Sequence, residues 1–174
     1  ARTGELARGA VRAHRWALVT DEHVGPRYAA RVSSSFGDAR VEIFTVPAGE
    51  ANKTRESWGR LTDQLLAAGF GRDSALLALG GGVVGDLAGF AAATYLRGIP
   101  VVQLPTTLLA MIDASLGGKT GVNTSAGKNL VGAFHEPALV IADPDVLATL
   151  EPRELRAGAA EAIKHGTIAD AEYF

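Results

Sequence analysis

The sequence of 174 residues contains no cysteine. Disulfide bonds, thiolate nucleophiles and cysteine-ligated metal centres are therefore excluded, which fits a reducing compartment. No apolar run reaches the roughly 18 residues that a membrane-spanning helix needs, and the first residues do not resemble a signal peptide. These absences predict a soluble cytoplasmic protein with no membrane partner.

Neither sign of charge dominates the sequence. The chain has 17 basic and 19 acidic residues, a net charge of −2 and a pI near 6.1. Binding to nucleic acid through charge requires a basic excess or patch, so no nucleic-acid partner is expected. The remaining composition, 47% hydrophobic and 21% charged, is that of one globular domain.

Short apolar runs alternate with amphipathic stretches along the chain. Strands are predicted at Arg15–Thr20, Val41–Val46, Ser74–Leu79, Ile99–Leu104 and Ala138–Ala142. Helices are predicted at residues 21–36, 54–68 and 85–96, with Thr54 as an N-cap, and a final helix begins at Pro152. Strands without polar alternation that are separated by helices are typical of a parallel sheet covered on both faces.

The predicted fold is a Rossmann-like, doubly wound α/β domain with a mostly parallel sheet over residues 1–150. Residues 151–174 are predicted to be the first helix of a C-terminal helical domain whose remainder is absent. The chain starts without methionine and stops directly after a helical pattern. We therefore expect a fragment of a longer protein.

Gly80, Gly82 and Gly85 form a G-x-G-x-x-G pattern directly after a predicted strand. In that context the backbone N–H groups at the start of the next helix can face a pyrophosphate. However, the pattern follows the third strand, and Gln103 stands about 20 residues on, where an acidic ribose partner is expected. A tight strand–helix turn without a ligand is the alternative. Asp86 likewise has a second interpretation, as a residue that complements the helix dipole.

Asp21 ends the first predicted strand, where a carboxylate could accept hydrogen bonds from ribose hydroxyls. A lone aspartate in this position is more often a helix cap.

Lys119 and Lys128 each follow a glycine, but neither belongs to a P-loop. Asp113 and Val122 occupy the positions where that motif requires glycine. The lysines can still bind phosphate as point charges, together with Asp113 and Asn129. Solvated loop lysines are the alternative interpretation.

Glu161, Lys164 and His165 share one face of the final predicted helix. A carboxylate and an imidazole so placed could ligate a metal, and the lysine could bind a substrate phosphate. From the residues alone, a surface ion pair between Glu161 and Lys164 is the favoured interpretation. The sequence contains no Ser-His-Asp arrangement or nucleophile elbow.

Several long motifs, in order and in spacing, resemble the 3-dehydroquinate synthase family of sugar-phosphate cyclases. They are PAGEANK, LALGGGVVGDLAGFAAATYLRG, QLPTTLLAMIDASLGGKTGVN, GKNLVGAFHEP and RELRAGAAEAIKHG. The resemblance implies a metal-dependent lyase with catalytic NAD. Such an enzyme converts 3-deoxy-D-arabino-heptulosonate 7-phosphate to 3-dehydroquinate and phosphate. NAD takes up a hydride and returns it, and the metal, zinc or cobalt, acts as a Lewis acid.

The resemblance also implies roles for individual residues. The positions that match NAD contacts are Asp21, Glu50, Lys53, Gly81, Gly82, Val83, Asp86, Thr106, Thr107, Lys119, Lys128, Thr149 and Leu150. The positions that match substrate or catalytic contacts are Asp113, Lys119, Asn129, Lys164 and Arg97. In the family, the matching arginine reaches the phosphate in the neighbouring subunit, which implies a homodimer. Glu161 matches one of three metal ligands.

The other two ligands of the family are histidines in a C-terminal domain, so we expect the 174-residue chain to be inactive alone. His165 is not assigned as a ligand. The alternatives are another sugar-phosphate cyclase, a metal-dependent polyol dehydrogenase of the same architecture, or a non-catalytic fragment that binds the nucleotide or only dimerises. The GGKTGVN and GKN turns argue against the dehydrogenase, because simple alcohol oxidation needs no phosphate-binding cations.

Overall fold

The computed structural model describes residues 2–169 and residue 172. Within these residues the chain forms five α-helices and seven strands. The helices are α1 Thr3–Ala10, α2 Gly25–Ser34, α3 Arg55–Ala67, α4 Gly82–Thr94 and α5 Pro152–Ala169. The strands are β1 Arg15–Asp21, β2 Arg40–Val46, β3 Ser74–Gly80, β4 Val101–Pro105, β5 Lys119–Thr124, β6 Gly127–Phe134 and β7 Leu139–Val140.

The main sheet has five strands in the order β2-β1-β3-β4-β7, and every pairing in it is parallel. β5 and β6 form a separate antiparallel pair. The predicted α/β fold with a mostly parallel sheet is therefore confirmed. None of the helices in the described part of the chain is long and apolar enough to cross a membrane.

The apolar strands form two packed layers, one on each face of the sheet. All seven residues of β3 are buried, as expected for a central strand covered on both sides. On one face Trp16 packs against Phe36, with 5.0 Å between ring centroids. On the other face Phe44 packs against Phe70 at 5.6 Å, near the buried side of α4. This core fixes the carboxyl ends of the strands, where polar side chains gather.

The strand order explains why the glycine-rich turn follows the third strand. The chain runs from β1 outward to β2 and then returns to the other side of β1 as β3. The switch in direction therefore lies between β1 and β3, which is where open α/β sheets bind ligands. Asp21 and Gly80 end these two adjacent strands.

Some predicted boundaries were wrong. Asp21 belongs to β1, and α2 starts only at Gly25, because an Asp21 carboxylate oxygen accepts from the amides of His23 and Val24 and holds a turn there. The helix predicted from residue 85 begins at Gly82. The sequence prediction also missed α1 and described residues 106–137 only as irregular, whereas they contain the β5–β6 hairpin. The Thr54 cap is confirmed, since its hydroxyl accepts from the Ser57 amide at 3.2 Å.

Candidate functional site

The glycine turn brings the amino end of α4 close to the segment that follows β4. Gly81 caps α4 without a side-chain hydrogen bond to the first helical turn, so amide groups there are available to a ligand. A Cβ atom on Gly81 would lie 3.1 Å from the Thr107 Cγ2 atom, and one on Gly82 would lie 3.3 Å from the Ala114 Cβ atom. A side chain at Gly81 or Gly82 would fill the space between the start of α4 and the segment after β4, which accounts for the two glycines.

Lys53 and Asp86 form an ion pair next to this turn. The Lys53 Nζ atom lies 2.7 Å from Asp86 Oδ2, and Lys53 is only 4% exposed. Burial raises the pKa of Asp86 above its ordinary value, and this effect outweighs the opposing hydrogen bond and charge of Lys53. Asp86 is thus more than a residue that complements the helix dipole, because its carboxylate holds a buried cation from the segment after β2.

Glu50 lies on the solvent side of this pair. Its Oε1 atom is 4.0 Å from Lys53 Nζ and 3.6 Å from Lys128 Nζ, and it accepts a 2.9 Å hydrogen bond from Asn123 Nδ2. Partial burial raises the pKa of Glu50, but the Asn123 hydrogen bond and the two lysines together lower it below its ordinary value. The segment after β2 and the β5–β6 hairpin therefore meet at the Glu50 carboxylate.

A second charged group surrounds Asp113, which lies in a short π-helical segment, Ala110–Ala114. Lys119 Nζ lies 3.0 Å from Asp113 Oδ1, and both side chains are partly exposed. The turn before Lys119 needs Gly117 and Gly118, whose φ angles of 74° and 61° lie in the left-handed region. The residue that departs from the P-loop pattern, Asp113, is thus the direct partner of the lysine.

The last helix extends this second group. Gly158 of α5 packs closely on the segment before the π-helix, where a Cβ atom would lie 2.7 Å from the Leu109 amide nitrogen. Lys164 donates a hydrogen bond to Glu161, which raises the pKa of Lys164, and the charge of Asp113 adds to that effect. The surface ion pair expected from the spacing is present, and it lies within the electrostatic reach of Asp113.

Glu161 also lies 3.2 Å from His165 Nε2. Across residues 2–169 and 172, however, no three His, Asp or Glu side chains are grouped closely enough to hold a metal ion. The described chain therefore offers part of a ligand set, and a divalent metal does not fit it as a complete site.

A cleft that is open to solvent lies at the carboxyl ends of β3 and β4, and its lining is more apolar than polar, with Arg31 and Asp143 among its residues. Its lining includes Tyr28, Leu79, Leu104, Thr106, Ile141 and Val146. The Thr106 hydroxyl is buried and has no hydrogen-bond partner among the described residues. The hydroxyls of Tyr28 and Thr149 lie 2.6 Å apart, joining α2 to the segment Pro144–Thr149. An orphaned buried hydroxyl in an apolar cleft is suited to a ligand with hydrogen-bonding groups.

The structure brings eight of the predicted residues together in two charged groups. One contains Glu50, Lys53, Asp86 and Lys128, and another contains Asp113, Lys119, Glu161 and Lys164. Thr107 caps the segment after β4 by accepting from the Ala110 amide at 3.2 Å. The Leu150 amide donates to Leu147 and ends the segment that carries Thr149. Val83 lies in the first turn of α4.

Arg97 is different from the other predicted residues. It is exposed, has a φ angle of 71°, and makes no hydrogen bond or ion pair with the described part of the chain. The sequence interpretation missed Asn123 and Tyr28. Asn123 precedes the GKN turn by a few residues, and that proximity was the available signal for it.

Comparison with known proteins gives the family of the chain. A family model described as the 3-dehydroquinate synthase N-terminal region matches residues 43–157. The chain belongs to this family. A 3-dehydroquinate synthase of Xylella fastidiosa (strain M23) is 55% identical over 161 residues, which are 90% of this chain and 44% of the relative. The resemblance found in the motifs is confirmed, and the chain spans less than half the length of that synthase.

Solved structures of the same fold include two sugar-phosphate cyclases. A 2-deoxy-scyllo-inosose synthase complexed with carbaglucose-6-phosphate, NAD+ and Co2+ is 33% identical, with a TM-score of 0.86 over 94% of this chain and 46% of that one. The 2-epi-5-epi-valiolone synthase of Streptomyces hygroscopicus subsp. jinggangensis 5008, with NAD+ and Zn2+ bound, is 39% identical. Its TM-score is 0.85, over 95% of this chain and 47% of that one.

Proposed function

We propose that this chain is the NAD-binding part of a 3-dehydroquinate synthase. The whole enzyme would convert 3-deoxy-D-arabino-heptulosonate 7-phosphate to 3-dehydroquinate and phosphate. The observation that carries the NAD assignment is the cleft at the ends of β3 and β4, which is lined by Thr106 with its unpaired hydroxyl. The Thr106 amide donates to the Gly80 carbonyl at 2.9 Å, so the cleft lies next to the glycine-rich turn. The family membership supports the reaction.

Two sets of residues would bind NAD together: those that line the cleft, and the charged group of Glu50, Lys53, Asp86 and Lys128. When bound, NAD supplies the hydride acceptor. The amino end of α4 favours the pyrophosphate, and the apolar lining suits the adenine ring. Asp21 would accept from a ribose hydroxyl. The proposed contacts are Asp21, Glu50, Lys53, Gly81, Gly82, Val83, Asp86, Thr106, Thr107, Lys119, Lys128, Thr149 and Leu150.

The second charged group would hold the substrate. Lys119 and Lys164 can bind the phosphate that leaves, and Asp113 keeps the Lys119 ammonium in place at 3.0 Å. Asn129 would bind a substrate hydroxyl. A leaving phosphate gains negative charge, so nearby lysines lower the barrier to its elimination. This need for cations is what a polyol dehydrogenase would lack.

Four further assignments belong to this proposal. Glu161 would provide one ligand to a divalent metal, zinc or cobalt, with the remaining ligands outside the described residues. Residues 1–150 would form the NAD domain, and 151–174 would begin a metal and substrate domain. Arg97 would reach the substrate of a partner subunit in a homodimer, which its exposed position allows. The enzyme would act in the cytoplasm.

Calorimetry and a phosphate assay test the proposal. We expect the 174-residue chain to bind NAD and to release no phosphate from the heptulosonate phosphate. We expect a chimera, in which the chain replaces the matching 44% of the Xylella synthase, to release one phosphate per turnover without accumulating NADH. Accumulation of NADH would favour the dehydrogenase alternative. Absence of NAD binding would contradict the cofactor assignment.

Thr106 offers a more specific test, because its hydroxyl is unpaired in the ligand-free chain. Thr106→Val should leave the free energy of unfolding unchanged or raise it by up to about 1 kcal/mol, because it removes a buried unsatisfied hydroxyl. The same change should weaken NAD binding about fivefold, the equivalent of one hydrogen bond. Denaturant unfolding and calorimetry measure the two effects.

Thr20→Val is the matched control. The Thr20 hydroxyl is also buried and unpaired among the described residues, but Thr20 does not line the cleft. We therefore expect the same small effect on stability and no change in NAD affinity. If both variants weakened NAD binding equally, the specific role of Thr106 would be wrong.

A further inference from the structure

Asn123 lies where the hairpin ladder is interrupted. Val122 pairs with Val131 and Thr124 with Gly127, and the register shifts between these pairs, so Asn123 is not paired with a β6 residue in the backbone ladder. Its backbone amide instead donates to the Lys53 carbonyl at 2.8 Å, beside a parallel bridge to Thr54. Such irregularities turn a residue away from its own sheet and are frequent next to functional sites.

The side-chain amide of Asn123 makes two different kinds of contact. Its Nδ2 atom donates to Glu50 Oε1 at 2.9 Å and to the Glu50 carbonyl at 3.3 Å. Its Oδ1 atom accepts from the Asn129 amide at 3.0 Å. Asn129 has a φ of 57°, in the sparsely populated left-handed region, which needs such support. Only a side chain with both a donor and an acceptor can satisfy these neighbours.

We propose that Asn123 is a positioning residue that couples the cofactor side of the site to the substrate side. This inference rests on the proposed function, in which Glu50 contacts NAD and Asn129 contacts substrate. By fixing the Glu50 carboxylate, Asn123 also fixes the negative charge that faces Lys53 and Lys128. By fixing the Asn129 backbone, it also holds the GKN turn in the orientation in which Lys128 and Asn129 face the site.

Asn123→Asp separates the two contacts. The new side chain can still accept from the Asn129 amide, but it cannot donate to Glu50 when ionised and places a second negative charge beside it. The dissociation constant for NAD should rise about tenfold near pH 8, the equivalent of a lost hydrogen bond to a charged group. Near pH 5.5 this rise should shrink to about twofold, because two adjacent carboxylates share a proton that restores the donor.

Asn123→Ala removes both contacts, and its rise in the NAD dissociation constant should be the same at both pH values. Ser125→Ala is the matched control, since Ser125 is exposed in the same hairpin turn and makes no contact through its side chain with the described residues. We expect it to bind NAD like the wild type at each pH, which separates general effects of pH from those of position 123.

Amide hydrogen exchange of Asn129 tests the bridge without any ligand. We expect slow exchange in the wild type and in N123D, and exchange at least about tenfold faster in N123A, because only N123A lacks the acceptor. Equal exchange in wild type and N123A would overturn the bridge. Wild-type NAD affinity in N123D at both pH values would overturn the positioning role. A wild type that binds no NAD would instead contradict the proposed function.

Discussion

Replacing Lys53 with methionine is expected to lower the free energy of unfolding by roughly 3–5 kcal/mol. Lys53 is 4% exposed and its ammonium lies 2.7 Å from the Asp86 carboxylate, whose side chain is 17% exposed. Methionine keeps most of the volume but removes the cation. The change therefore leaves the Asp86 carboxylate without its cation in a site from which water is largely excluded. An uncompensated buried charge is the main reason that breaking a buried ion pair destabilises the folded state.

The size of this loss should depend on pH. Burial already raises the folded-state pKa of Asp86, and Lys53 is the main opposing influence, so its removal raises that pKa further. A carboxyl whose pKa is higher in the folded state binds protons more tightly there. The contribution of such a carboxyl to the free energy of unfolding is fully present below the pKa of the unfolded state. It is lost as the pH rises through the pKa of the folded state. The deficit of K53M relative to the wild type should therefore be smallest in acid and largest at neutral pH.

Denaturant unfolding near pH 4.5 and pH 7 measures this difference, and two variants serve as controls. K53M/D86N has no buried carboxylate, so its deficit should be smaller than that of K53M at neutral pH and nearly independent of pH. Lys128→Met removes an exposed lysine, 73% exposed at its side chain, so it should change stability by less than about 0.5 kcal/mol. A K53M deficit that is equal at both pH values would show that the loss is one of packing.

The fold was largely predictable because its determinants are local. The apolar runs of β1, β3 and β4 are buried almost throughout, and runs of that kind identify central strands. The hairpin could not be found in the same way, because its apolar residues do not mark one buried face. Val122 is fully buried and Val131 packs against the core, whereas other apolar residues of the hairpin are exposed. Leu130 is 63% exposed and Phe134 is 86% exposed. An apolar pattern in the sequence predicts that such residues are buried, whereas these two are exposed.

The pairs within the site were harder to predict than the fold. Lys53 and Asp86 are 33 positions apart, and neither spacing nor propensity shows that a loop lysine enters the interior to meet a helix residue. The resemblance named both residues, but only the structure shows that they contact each other. Asn123 escaped prediction for the same reason, since its role depends on a register shift and not on its sequence neighbours.

The hairpin that carries these contacts depends on a close approach between two glycines. Gly121 and Gly132 are opposite each other in β5 and β6. A Cβ atom on Gly132 would lie 2.0 Å from the Thr120 carbonyl oxygen and 2.8 Å from the Gly121 Cα atom. Both are backbone atoms, so no side-chain rotation can relieve the clash. The strands must separate or change register to admit even a methyl group.

Gly132→Ala should therefore destabilise the chain by at least about 2 kcal/mol, as overpacking against fixed atoms does. It should also speed amide exchange in β5 and β6 and weaken NAD binding, because β6, which carries Lys128 and Asn129, is displaced. Gly59→Ala is the control with the opposite sign. Gly59 lies inside α3 with nothing within 4 Å of an added Cβ atom. The substitution should therefore raise the free energy of unfolding by about 0.5–1 kcal/mol. If the denaturant midpoint of Gly132→Ala equalled that of the wild type, the close pairing of β5 and β6 would be wrong.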